Sequence, residues 1–132
     1  MFYIGVITVI IIILLAVFPK VNVIGDSMYP TYKNGESVRA IRIAYFFPLV
    51  VGAVYVFRSP SGDIVIKRLD HLKWDDPTMC YFVGDNSSVS YDSRNYGYVY
   101  RYHIIGMVLF SRKKGEVKNE QRKGCLAYQS EQ

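Results

Sequence analysis

The rhythm of apolar and polar positions changes once along the chain, near residue 19. Before that point, residues 2–18 form a run of 17 without a charge. As a helix this run is about 25 Å long, at the short end of what crosses a hydrocarbon core of about 30 Å. It predicts a transmembrane anchor over residues 2–18. A cleaved signal peptide fits less well, because no Lys or Arg precedes the run and Ala16-Val17-Phe18-Pro19 is not a small-x-small cleavage pattern.

Beyond Lys20 the pattern reads as β-structure. Val21 and Val23 alternate with Asn22 into a turn, and Val38, Ile41 and Ile43 mark a strand within 35–43 with imperfect alternation. Residues 54–57 and 64–69 flank a Ser-Pro-Ser-Gly-Asp stretch, which predicts a hairpin. Another strand is expected over 79–83, followed by a polar loop over 84–97. Tyr96, Tyr98, Tyr100 and Tyr102 would lie on one side of an extended segment continuing through Ile104 to Phe110. Residues 44–51 are more apolar than a surface loop should be, which fits either a buried core segment or a lip touching a bilayer. With no sustained helical period after Lys20 and no repeat, the fold class expected is all-β. A small antiparallel β-barrel-like domain over 19–111 would follow one N-terminal transmembrane helix, and 112–132 would be a disordered polar, basic tail.

Composition narrows the function classes. At 132 residues and 51% hydrophobic, the chain has room for one small domain and one further element. The net charge is +5, and +3 of it lies in 112–132 rather than on a folded face interleaved with aromatics. Nucleic-acid binding is therefore not expected, and such a tail is solvated or drawn to anionic lipid. Lys20, Lys33, Arg39 and Arg42 all follow the apolar run, but the domain is longer than the segments for which flanking charge sets topology, so charge leaves the orientation open. Cys80 and Cys125 fit no metal spacing and read as free thiols. His71 and His103 lack a second ligand at zinc spacing, and Asp85, Asn86 and Asp92 lack the spacing of a calcium loop, so no metal or other cofactor is expected. Asn86-Ser87-Ser88 matches a glycosylation sequon but coincides with a Gly-Asp-Asn turn.

The candidate chemistry begins at Gly25-Asp26-Ser27-Met28-Tyr29-Pro30-Thr31. Gly25 permits close backbone approach and Pro30 fixes a dihedral, so Ser27 would sit on a stiff turn. A plain turn at the head of a β-domain explains the same residues, since a serine hydroxyl alone is a poor nucleophile and needs a base. Lys67 is the candidate base. On the second hairpin arm Ile64, Ile66 and Arg68 point one way, and Val65, Lys67 and Leu69 the other. Lys67 is then either snorkelling outward or desolvated with its pKa drawn towards neutrality. A neutral amine of that kind can take a serine proton.

In their order, the apolar run, the Gly-Asp-Ser-Met-Tyr-Pro-Thr heptad, Ile66-Lys67-Arg68, Gly84-Asp85-Asn86 and Ser90-x-Asp92-Ser93-Arg94-x-x-Gly97 resemble bacterial type I signal peptidases. The resemblance runs to about Phe110. It implies a serine endopeptidase in which Ser27 is acylated and Lys67 is the general base. Ser90 would hold the amine, and Asp92 and Arg94, two apart on an extended chain, would form a buttressing ion pair. The Ser27 backbone N–H would serve as the oxyanion donor, with Gly25 where some members carry a serine that adds a second. Ile24, Ile64 and Ile66 would line shallow pockets for small residues before the cut. The partners implied are preproteins and the lipid bilayer, for a monomer in the cytoplasmic membrane with its catalytic domain on the outer face. Two further departures stand out. Val51-Gly52-Ala53 replaces an Arg-Gly-Asp, removing an ion pair, and Gly84 follows Lys67 by only 17 positions, which leaves no room for the second domain of larger members. Rival readings are a dedicated processor of one secreted or conjugative-pilus substrate, a relative of self-cleaving repressors, and a catalytically inactive β-domain that binds a partner.

Overall fold

The computed structural model describes residues 1–42 and 46–111. Helix α1 (Phe2–Val17) is followed by strands β1 (Lys20–Asn22), β2 (Ser37–Ile41), β3 (Val54–Arg58), β4 (Ile64–Leu72) and β5 (Met79–Val83), then the short helix α2 (Ser93–Tyr96), β6 (Val99–Tyr100), a 3-10 turn (Arg101–His103) and β7 (Ile104–Ser111). The strands form one antiparallel sheet in the order β1-β2-β7-β3-β4-β5-β6. The all-β expectation therefore holds, but as a curled open sheet rather than a closed barrel, with β1 and β6 at its edges. Irregular register between Arg39 and Ala40, Val56 and Phe57, and Leu69 and His71 accounts for the curl, because each bulge adds local twist.

Strand β3 is the spine, buried on both faces as Val-Tyr-Val-Phe. Val54 and Val56 join Val23, Met28, Val38, Ala40 and Val108 in one cluster. Tyr55 and Phe57 join Leu69, Cys80, Phe82, Val99 and Ile104 in the other. In the second cluster the Phe82 ring stacks on Phe57 with centroids 4.2 Å apart and meets Tyr55 edge-on at 6.0 Å. Cys80 is a buried free thiol whose pKa burial pushes up to about 11, whereas Cys125 and the expected tail lie outside the described residues, as do Ile43, Ala44 and Tyr45.

Two expectations change and one open alternative is decided. The helix ends at Val17, one residue short of the predicted run, because Phe18 leaves helical geometry and Pro19 cannot continue it. At 16 residues it is about 24 Å long, and no described helix is long and apolar enough to cross a membrane. The tyrosine stripe is broken: Tyr96 belongs to α2, Gly97 turns the chain at φ +81°, and Tyr102 sits in the 3-10 turn. Within β6 it is Val99 that faces the core. Of the two readings left open for 44–51, the described part fits the exposed one, since Phe46, Phe47, Val50 and Val51 are exposed while Leu49 packs on the second cluster.

Because Phe82 fills the gap between Tyr55 and Phe57, truncating it leaves a cavity that strands on both sides cannot close. Phe82→Ala is expected to destabilise the domain by about 3–5 kcal/mol, read as a lowered denaturation midpoint.

Candidate active site

The serine loop is held by the core on one side and by a second loop on the other. Met28, 1% exposed, plugs the first cluster immediately after Ser27. Gly25, at φ +85°, gives its N–H to Asn34 Oδ1 at 3.1 Å, and Tyr29 N–H closes a turn onto Asp26 O at 3.1 Å. Ser27 itself is half-buried. Its carbonyl accepts the Asn86 backbone N–H at 2.9 Å, and the neighbouring Asp26 carbonyl accepts Asn86 Nδ2 at 3.1 Å. One asparagine thus fixes two successive peptide groups around the serine.

Lys67 lies mid-way along β4, opposite Tyr55, and is 4% exposed. Of the two alternatives left by the sequence, the amine is buried rather than snorkelling. Burial lowers its pKa; the nearby Asp92 charge opposes that shift and Arg94 reinforces it. Lys67 Nζ donates to Ser90 Oγ at 3.1 Å, and Ser90 Oγ donates in turn to Asp92 Oδ2 at 2.5 Å. A hydroxyl has one proton. With that proton given to Asp92, Ser90 acts only as an acceptor towards the lysine.

Asp92 is completely buried and fully engaged. Its Oδ2 also accepts Gly84 N–H at 2.8 Å, and Arg94 grips both oxygens, Nε to Oδ1 at 2.9 Å and Nη2 to Oδ2 at 2.5 Å. Burial alone would raise the pKa of this carboxyl, but the donors from Arg94, Ser90 and the backbone outweigh it and hold the pKa well below the usual carboxylate range. The ion pair arises from a different backbone than the spacing implied. Asp92 is the N-cap of α2, with Asn95 Oδ1 accepting the Asp92 N–H, so a helix-start capping box and not an extended chain sets Arg94 beside it.

Gly84 is where the two halves meet. A Cβ there would stand 2.1 Å from Ser90 Oγ and 2.6 Å from the Ser27 carbonyl. The Ser27 carbonyl and the Ser90 side chain that accepts from Lys67 are therefore packed against the same α-carbon. A second clamp was not foreseen in the sequence. Arg68 binds both oxygens of Asp85, Nε to Oδ1 at 2.8 Å and Nη2 to Oδ2 at 2.7 Å, and gives Nη1 to the Gly52 carbonyl at 2.6 Å. Thr31 of the serine loop also hydrogen-bonds Asp85. The Gly52 carbonyl so anchors the segment where the Arg-Gly-Asp ion pair is missing. A polar arginine flanked by two core-facing positions in β4 was the one available signal for it.

The expected pocket residues separate. Ile24 and Ile64 are exposed, while Ile66 packs on the first cluster. The histidines form no metal cluster among the described residues. His71 instead stacks on Tyr81 and hydrogen-bonds Asp70 and Tyr98.

The family model described as signal peptidase, peptidase S26, matches residues 1–72, a span that takes in both the serine loop and Lys67. The chain belongs to the signal peptidase family, peptidase S26. Peptidase activity of the signal peptidase kind follows from that membership. The matched span ends before Gly84, so the Ser90–Asp92–Arg94 network rests on geometry and on the sequence motif. No curated protein matches the chain.

If this packing serves the peptidase activity, Gly84→Ala should force Ser90 away from Lys67 or lift the serine loop. A misplacement of that size is expected to lower cleavage about 100-fold or more. Ser87→Ala, at an exposed position of the same loop and outside these contacts, should leave the rate unchanged in the same assay.

Proposed function

We propose that the protein is a membrane-attached serine endopeptidase that removes N-terminal signal peptides from exported preproteins through an acyl-enzyme on Ser27. The observation that carries the reading is the amine of Lys67: buried, with a lowered pKa, and held by a serine whose own proton is committed elsewhere. A neutral Lys67 then keeps its lone pair for an incoming proton. In the proposed reaction Lys67 Nζ takes the Ser27 hydroxyl proton as Oγ attacks the scissile carbonyl. The backbone N–H of Ser27 stabilises the oxyanion. The C–N bond breaks as the ammonium of Lys67 returns the proton to the leaving amine. The same amine, neutral again, takes a proton from the water that attacks the ester and passes it to Ser27 Oγ as the C–O bond breaks, which frees Ser27.

Ser90, Asp92, Arg94 and Gly25 act as positioning residues. Exposed Ile24 and Ile64 are the proposed contacts for small residues before the cut, and Ile66 supports them from beneath. Helix α1 is apolar around its whole circumference and none of its residues is buried, a pattern that suits lipid. With about 24 Å of helix, attachment requires local thinning of the bilayer or sinking of the domain towards it. The exposed Phe46, Phe47, Val50 and Val51 suit such a lip. The domain is placed at the outer face of the cytoplasmic membrane, as a monomer, where exported substrates emerge.

Detergent-solubilised protein incubated with a preprotein bearing Ala-x-Ala should yield one cut after the second alanine, seen by mass analysis. Ser27→Ala and Lys67→Ala should each lower the rate about 10⁴-fold; retention of activity by either variant would end the proposal. The pH profile offers a separate check. Protonated Lys67 cannot act as a base, so the rate should be low in acid, rise through the lowered lysine pKa and level off above it. A flat profile from about pH 5 to 10 would contradict the role of the amine.

A further inference from the structure

The junction of α1 with the sheet carries a pair of cations that this chemistry does not use. Lys20 opens β1 and lies directly opposite Arg39 of β2. Directly opposed residues of an antiparallel pair project on the same face about 5 Å apart. The neighbouring pairs show which face this is. Val21 and Val38 turn to the first cluster, while Ser37 Oγ donates to Asn22 Oδ1 at 2.8 Å on the outside with Lys20 and Arg39. Both cations are exposed, and among the described residues neither forms a salt bridge with a carboxylate. Like charges directly opposed across strands disfavour the pairing. An anion between them would reverse that.

Arg39 is also tied to the helix end. Its Nη1 donates to the Phe18 carbonyl at 3.1 Å, and the Ala40 N–H donates to the Pro19 carbonyl at 3.1 Å. The cation therefore sits at the C-terminus of α1, where helix carbonyls lack partners and the dipole is negative. That bond uses one of the five N–H donors of a guanidinium. The two charges are thus held by backbone pairing at the exit of an apolar helix, which meets the level of lipid phosphates where the bilayer thins to match the helix.

We propose that Lys20 and Arg39 together bind the phosphate of an anionic phospholipid at the membrane surface. The inference rests on the reading of α1 as a lipid-embedded segment. Inorganic phosphate offers the same oxygens but no acyl chains, so it would not be concentrated at the helix end.

Native mass spectrometry of the full chain in detergent, titrated separately with dihexanoyl phosphatidylglycerol, dihexanoyl phosphatidylcholine and inorganic phosphate, tests it. One phosphatidylglycerol should be retained at about tenfold lower concentration than phosphatidylcholine, and inorganic phosphate should not be retained. Lys20→Gln combined with Arg39→Gln should abolish the preference. Lys20→Gln alone, which leaves the Phe18 bond intact, should reduce it while leaving preprotein cleavage in detergent unchanged. Equal retention of the two lipids, retention of inorganic phosphate as well as lipid, or an undiminished preference in Lys20→Gln would overturn the proposal. Flotation with pure phosphatidylcholine vesicles separates the two readings. A chain that floats but shows no anionic preference refutes only the phosphate site, and one that does not float refutes the embedded helix and the site together.

Discussion

A single buried carboxylate organises the polar half of this molecule. Asp92 has no contact with solvent and survives there as an anion only because every direction around it supplies a donor: the Gly84 and Arg94 backbone, the Ser90 hydroxyl and the Arg94 guanidinium. Removing a charge from water is costly unless it is paired and hydrogen-bonded. That cost is also a constraint, because the donors have little freedom to move without leaving the charge unsatisfied. Ser90 is held with its proton turned to Asp92, and the acceptor side of its oxygen is presented to Lys67. The amine is thereby restrained without being neutralised by an ion pair of its own.

The loop after β5 serves as a staple between parts of the chain that are far apart in sequence. Its Gly84 lets the Ser27 carbonyl and the Ser90 hydroxyl close on one α-carbon, its Asn86 holds the peptides around Ser27, and its Asp85 joins Arg68 and Thr31. The staple can work because both anchored partners are themselves rigid. Met28 fixes the serine loop to one core cluster, and β4 is paired on both sides. Hydrophobic packing sets the positions, and hydrogen bonds within the loop choose among the small adjustments left.

The apolar material outside the core has a consistent arrangement. Helix α1 and the exposed Phe46, Phe47, Val50 and Val51 leave apolar surface that no described residue covers. A short tether of Phe18 and Pro19 links α1 to β1, so the helix end is bonded to the edge of the sheet rather than flexibly leashed to it.

Local chemistry in the sequence determined much of this protein. The hairpin of β3 and β4 and strand β5 follow from turn residues and short β-rich runs, because pairing partners there are near in sequence. Burial of Lys67 between Val65 and Leu69 was one of two alternatives that alternation allowed, and motif order pointed to Ser27, Ser90, Asp92 and Arg94 as a group. Tertiary structure alone decided the rest. Alternation does not register bulges, so a barrel-like sheet was expected but its open edges were not legible. A four-residue helix is too short to have a period, so the Asp92–Arg94 pair was legible but its capping geometry was not. The Arg68–Asp85–Thr31 clamp depends on contacts across 17 and 54 positions of chain, the steric role of Gly84 on an approach of Ser27 from farther still, and no local pattern encodes a distance that only the folded core imposes.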